Sequence, residues 1–227
     1  LGLRYTTSPS LSCALARNKY YFSTLLNAHK LPIPKSWLLT DKGDWINGAP
    51  KDGTKVICKP ASESASQGIS ESMILTASAE MGSRLLGASY IVQEYIEGSE
   101  CEVPVFKIGE AVYVFPPIGI DLQGKRILDE DASEHNQYSF YLLSECFTSE
   151  VVAAIQEATK KAFCLLQMDV YGRIDFRIAP NGDAFIFDVS TTPYTTKHSS
   201  FAYAFNQLGF EYCDIYRAVI SAALMRE

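Results

Sequence analysis

Asp175 and Asp188 are the residues from which chemistry is most easily built. They lie in Gly172 to Pro193, GRIDFRIAPNGDAFIFDVSTTP, where two apolar-alternating runs flank an Asn-Gly pair. Such a pattern is the strongest short-range signal for a β-hairpin. With Asn181 and Gly182 as the two loop residues, Pro180 pairs with Asp183. Counting back sets Asp175 opposite Asp188 and Arg173 opposite Ser190. Like charges directly opposite on one sheet face are destabilising. Two readings accommodate them. In one, Arg173 and Arg177 on the same face neutralise a solvated acidic patch. In the other, Asp175, Asp188 and Ser190 supply oxygens to a divalent cation. Mg²⁺ is held this way, by one or two carboxylates together with substrate phosphates.

Lys59 is a second candidate. It ends an apolar strand, KVICKP, and a loop of small residues from Ala61 to Ser70 follows at once. A lysine beside exposed backbone N–H groups is a phosphate-binding device, and equally an ordinary solvated strand end. The Walker pattern is absent. A third stretch, VQEYIEGSE, runs a strand into a glycine turn with Glu100 beyond it. It could offer backbone groups to an adenine edge and a carboxylate to ribose hydroxyls, or be a plain acidic hairpin. His198 beside Ser199 and Ser200 does not make a hydrolase. The G-x-S-x-G elbow is missing, and a helix N-cap serine accounts for the motif.

The elements that must position these residues interleave. Helical spacing covers Ala14 to Lys30, TASAEMGSRLLG, Ser149 to Met168, HSSFAYAFNQLG and FEYCDIYRAVISAALM. Strands are read at KSWLLT and TKVICKP, at the start of SYIVQEYIEGSECEVPVFKIGEAVYVF before a turn at Glu97 to Ser99, in a hairpin around Gly109, and in the Asn-Gly hairpin. Gln123 to Tyr138 is polar and without period, which marks a functional or mobile loop. Hairpins dominate, so the expected class is α+β with mostly antiparallel sheets. The 227 residues, 47% hydrophobic and 20% charged, suffice for a core. A net charge of −6 argues against nucleic acid as a partner. No apolar run is long enough to span a bilayer. Six cysteines without a C-x-x-C pair read as reduced, mostly buried thiols rather than a zinc site. The chain opens at Leu1, in what reads as mid-fold.

Taken in order, these stretches resemble the ATP-grasp superfamily, and within it the D-alanine–D-alanine ligases. The matching segments are ALARNKYYFSTLLNAHKLPIP, KPASESASQG, QEYIEGSECEV, GRIDF and DVSTTPYTTKHSS. The resemblance covers nearly the whole chain and implies two α+β subdomains, 1–93 and 94–227, gripping a nucleotide between them. It implies ATP and Mg²⁺ as cofactors, with Mn²⁺ able to substitute. Lys19 and Lys59 would contact phosphates, and Ser66 and Gly68 would cover them. Gln93, Glu94, Tyr95 and Ile96 would form the adenine hinge, and Glu100 would hold the ribose. Asp175, Asp188 and Ser190 would ligate the metal. Arg173 would stabilise the transferred phosphoryl group, and Ser199 would bind the second substrate's carboxylate. The implied activity is amide formation through an acyl phosphate, in the cytoplasm, on small-molecule carboxylate and amine substrates, in a homodimer.

The sequence also departs from the family. Asp188 stands for its glutamate, Ser190 for its asparagine, Tyr194 for its glycine, Ala65 for its loop serine and Gln93 for its hinge glutamate. The Lys-Tyr of its mobile loop is not visible, and its N-terminal α/β domain is not in this chain. Two alternatives therefore stand beside the ligase reading: a ligase for a different amino acid or small acid, and a nucleotide-binding module without turnover.

Overall fold

Residues 4–62 and 69–226 are described by a computed structural model. Ala65, Ser66 and Gly68 lie outside the described residues. The expected α+β class is borne out, with two sheets whose described pairings are all antiparallel.

The larger sheet is built on β6 (Ser99–Ile108), β10 (Tyr171–Ile178) and β11 (Ala184–Ser190). It continues through β8 (Ile118–Asp121) and β9 (Ser139–Leu142), while β7 (Ala111–Val114) pairs with β6. Strand alternation decides its two faces. Cys101, Val103, Val105, Ile174, Phe176, Ile178, Ile186 and Val189 point one way, into the main core. There they meet Ile155, Ala158, Ala162 and Phe163 of α5 (Ser149–Leu165) and Phe22 and Leu26 of α2 (Lys19–Ala28). The intervening residues, Glu100, Glu102, Phe106, Arg173, Asp175 and Arg177, point the other way. Phe106 is roofed by Phe201 and Phe205 of α6 (Ser200–Gln207) and by Ile215 and Val219 of α7 (Tyr212–Leu224). The charged residues lie beyond that roof.

The smaller sheet has the order β2-β1-β5-β3-β4. Its strands are β1 (Ser36–Leu39), β2 (Trp45–Ile46), β3 (Lys55–Pro60), β4 (Ile74–Thr76) and β5 (Tyr90–Glu94). Trp37, Leu39, Val56, Cys58 and Val92 pack on Met81 of α3 (Met81–Arg84). Ile57 and Lys59, out of phase with Val56 and Cys58, therefore face the larger sheet.

Four sequence expectations need correction. The helix expected over Ala14 to Lys30 is two helices, α1 (Ser10–Arg17) and α2, broken at Asn18. Asn18 is extended (φ −94°, ψ 105°), and its side chain accepts from Tyr20 N and Tyr21 N. A short polar side chain that satisfies the first free N–H groups starts a new helix even inside an apolar period. The helix in TASAEMGSRLLG shrinks to the four residues of α3. The Gln123 to Tyr138 stretch is not periodless, because it carries α4 (Glu130–Glu134), capped by Asp129. It is tied down by Arg126 to Glu71 and by Lys125 to Asp129, and its Ile127 packs with Ile57 and Tyr95. The six thiols are free, but only Cys58 and Cys101 are buried. Among the described residues no helix is long and apolar enough to cross a membrane.

Candidate active site

The hairpin places Asp175 opposite Asp188 and Arg173 opposite Ser190, as the spacing predicts, but by a different route. The turn has three loop residues, not two: Ala179 N donates to Asp183 O, and Gly182 N to Ala179 O. Gly182 sits at φ +92°, the left-handed position that closes a three-residue hairpin loop. That extra residue would slide Asp175 against Phe187. A bulge between Asp175 and Phe176 takes the slip back, since Phe176 pairs with Ile186 and Asp175 with Asp188. Phe187 is the residue left over. Bulges often stand next to active sites because they re-aim a side chain, and here the Phe187 ring lies 4.6 Å from Lys59 Nζ.

The sequence reasoning stopped at the hairpin and missed its other neighbour. Asp175 is also the direct cross-strand partner of Glu102. Glu102, Asp175 and Asp188 therefore form one acidic row across β6, β10 and β11. Asp175 and Glu102 are 4% and 6% exposed. The signal was the Glu-x-Glu of SECEV, which puts both glutamates on one strand face. Two arginines answer the row, Arg177 buried and Arg173 half-buried. Arg173 donates from Nε and Nη2 to the two oxygens of Asp175, both at 2.8 Å, and its Nη1 lies 3.1 Å from Glu102. Arg177 donates to Glu100 at 2.7 Å, to the carbonyls of Ile96 and Arg126, and to the Tyr95 hydroxyl. Burial pushes the Asp175 carboxyl up to about 7 against the pull of Arg173, and the charges of Glu102 and Asp188 add to the rise. Asp175 shares its guanidinium with Glu102 and has the Asp188 charge beside it, so the upward direction follows from burial among like charges.

Across a cleft between the two sheets stand the lysines. Lys19 reaches Asp188 at 3.3 Å. Lys59 donates to Gln93 Oε1 at 3.2 Å, and Gln93 donates on to Ser36. Burial lowers the Lys59 pKa to about 8, although Asp188 counters part of the fall. The hinge follows: Gln93 is buried, Glu94 ends β5 exposed, and Tyr95 and Ile96 line the cleft. Gly98 is required there. Its φ is +133°, and a Cβ would stand 1.9 Å from the Ile178 carbonyl oxygen. Glu100 accepts from Leu128 N as well as from Arg177, both on Oε1.

The far end of the cleft is ringed by Tyr138, Phe140, Tyr194 and His198. Tyr138 and Phe140 lie 4.8 and 5.3 Å from the His198 ring. Ser199 is the N-cap of α6: its hydroxyl donates to Thr196 O and accepts from Ala202 N. His198 Nε2 and Ser200 Oγ are buried there without a hydrogen-bond partner among the described residues. Ser190 opens on an adjoining hollow with Arg17 and Thr191, which Asp188 also borders.

The donors suit a hard cation, because those facing each other across the hairpin are oxygens. Among the described residues no three Asp, Glu, His or Cys side chains converge closely enough to hold an ion alone. Two carboxylates completed by phosphate oxygens match the usual surroundings of Mg²⁺. Each is now engaged by a cationic side chain, Asp175 by Arg173 and Asp188 by Lys19.

Two antiparallel sheets facing across a cleft of this lining define an ATP-grasp ligase. A family profile described as the D-ala D-ala ligase C-terminus matches residues 31–221, and the chain belongs to that family. The D-alanine–D-alanine ligase of Cupriavidus taiwanensis is 27% identical over 99% of this chain and 69% of its own. That of Polynucleobacter asymbioticus is 28% identical over 100% and 68%. The ATP complex of the D-alanine–D-alanine ligase from Bacillus anthracis superposes with a TM-score of 0.76, at 20% identity, over 98% of this chain and 71% of that one. The VanG D-Ala:D-Ser ligase from Enterococcus faecalis gives 0.73, at 20% identity, over 96% and 64%. At such identities the superpositions speak for the fold.

Proposed function

We propose that the chain joins a small carboxylic acid, an amino acid by preference, to an amine, through an acyl phosphate made from ATP. The observation that carries this is the acidic row of β6, β10 and β11, with Glu102 and Asp175 buried, faced across the cleft by Lys19 and Lys59. In this reading the subdomains 1–93 and 94–227 are two jaws. The hinge from Gln93 to Ile96 holds the adenine, and Arg177 fixes Glu100 for the ribose. Lys19 turns from Asp188 and Lys59 from Gln93 to the phosphates, under the loop with Ser66 and Gly68. Asp175, Asp188 and Ser190 are the residues that would hold Mg²⁺, or Mn²⁺ in its place. When bound, that ion neutralises phosphate charge and aligns the phosphates with the acids. Arg173 then faces the charge that develops on the transferred group. Ser199 and the first N–H groups of α6 receive the substrate carboxylate, as helix starts receive anions.

The rings of Tyr138, Phe140, Tyr194 and His198 favour a second reading of the substrate, an amino acid bulkier than D-alanine. Phosphate release from Mg²⁺-ATP with a panel of D- and L-amino acids separates the two. Release with D-alanine supports the first reading, and release only with larger side chains the second. ATP binding without release on any of them leaves a nucleotide-binding module. Six free thiols support a reducing, cytoplasmic setting. A homodimer rests on the resemblance alone.

A further inference from the structure

Glu102 has no part in the reading above, yet it is buried in the middle of the site. Its carboxylate lies beside that of Asp175, the residue read as a cation ligand, and both bind the same guanidinium. The Arg173 fork covers both oxygens of Asp175. A cation that binds Asp175 competes with that fork for the carboxylate. A guanidinium displaced from its only partner would be a largely buried, uncompensated charge, which is unfavourable. Glu102 removes the difficulty, because Nη1 already reaches it at 3.1 Å. Arg177 makes a useful control on the same strand face. It is held by Glu100 and by three neutral oxygens, on Ile96, Arg126 and Tyr95. Arg173 is held by two carboxylates, one of which a cation competes for.

We propose that Glu102 is a positioning residue: it keeps Arg173 in the site when Asp175 turns to the divalent cation. Arg173, which binds Asp175 and Glu102 together, would then rest on Glu102 alone. The inference rests on the metal role of Asp175 and deepens it.

The test is Mn²⁺ binding to the 227-residue chain with a non-hydrolysable ATP analogue, by calorimetry, in a double-mutant cycle of Glu102→Gln and Arg173→Gln. Outer-shell partners of metal sites are commonly worth about 10- to 100-fold in affinity. The expected result is a loss of that size in Glu102→Gln, partial recovery in Glu102→Asp, and less than about a twofold further change when Glu102→Gln is added to Arg173→Gln. If Glu102 merely adds negative charge near the ion, or ligates it, the loss persists in full without Arg173, and the proposal is overturned. Should Glu102→Gln not fold, Glu102→Asp carries the same cycle. Failure of the underlying reading looks different: the wild-type chain then binds the analogue without any Mn²⁺ dependence, and both fall together.

Discussion

Arg173 and Arg177 sit four residues apart on one strand, face the same way and each lie beside a glutamate of β6, Arg177 buried and Arg173 half-buried. They are nevertheless opposite in kind. Arg177 is pinned by backbone carbonyls of Ile96 and Arg126, and those acceptors do not leave. It locks the hinge and the Gln123 to Tyr138 stretch to the large sheet. Among the described residues the polar partners of Arg173 are carboxylates, and a ligand can compete for those. Identical chemistry, placed on fixed or on exchangeable acceptors, gives a structural clamp in one case and a working part in the other.

The contrast can be broken from either side. Arg177→Met strands Glu100 as a buried charge and should lower stability by about 3–5 kcal/mol, measured by chemical denaturation. Arg173→Met should cost less than half of that, because Asp175, already raised to about 7, takes up a proton. An equal loss in the two variants would erase the distinction. Turnover should divide them the other way. Arg173→Met should lose around 10²–10³-fold in rate, the usual effect of removing one charge-stabilising group. Arg177→Met should act mainly through stability, recoverable at low temperature.

A smaller effect is expected at the hinge that Arg177 clamps. Gly98→Ala meets the Ile178 carbonyl oxygen in a left-handed backbone, and should cost more than about 1 kcal/mol of stability with weaker ATP binding. A variant as stable as the parent would show that the hinge can relax.

The smallest effect concerns Lys59, whose pKa burial lowers to about 8. In the free protein its charge is lost as pH rises through 8 rather than 10.5. ATP binding needs that charge, so affinity should fall above pH 8, at most about tenfold per unit. The sign for folding is opposite: the desolvated charge costs stability below pH 8, and the cost lifts between 8 and 10.5. Lys59→Arg, charged throughout, should flatten the affinity profile. A wild-type profile that is flat to pH 9.5 would remove Lys59 from the phosphate site.

The facing acids were legible in the sequence because the Asn-Gly turn and strand alternation are local rules. They were reached by two errors that cancel, a loop one residue too short and a bulge not foreseen. Nothing local announces a bulge, and Phe187, which it turns toward Lys59, was therefore invisible as a site residue. Glu102 was missed for a different reason. Its place beside Asp175 depends on which strand pairs with β10, and that is a long-range choice the sequence pattern does not make. The break at Asn18 was a local signal left unused. The order of the stretches identified the family, and the burial of Glu102 and Asp175 came only with the sheet.

The most direct measurement is Mn²⁺-dependent ATP binding by calorimetry on the wild-type chain and on Asp175→Asn. Binding that needs the ion and vanishes with the variant is the predicted result, and it would fix the acidic row as the metal and nucleotide site. An Asp175→Asn variant that binds ATP with undiminished Mn²⁺ dependence would contradict the account.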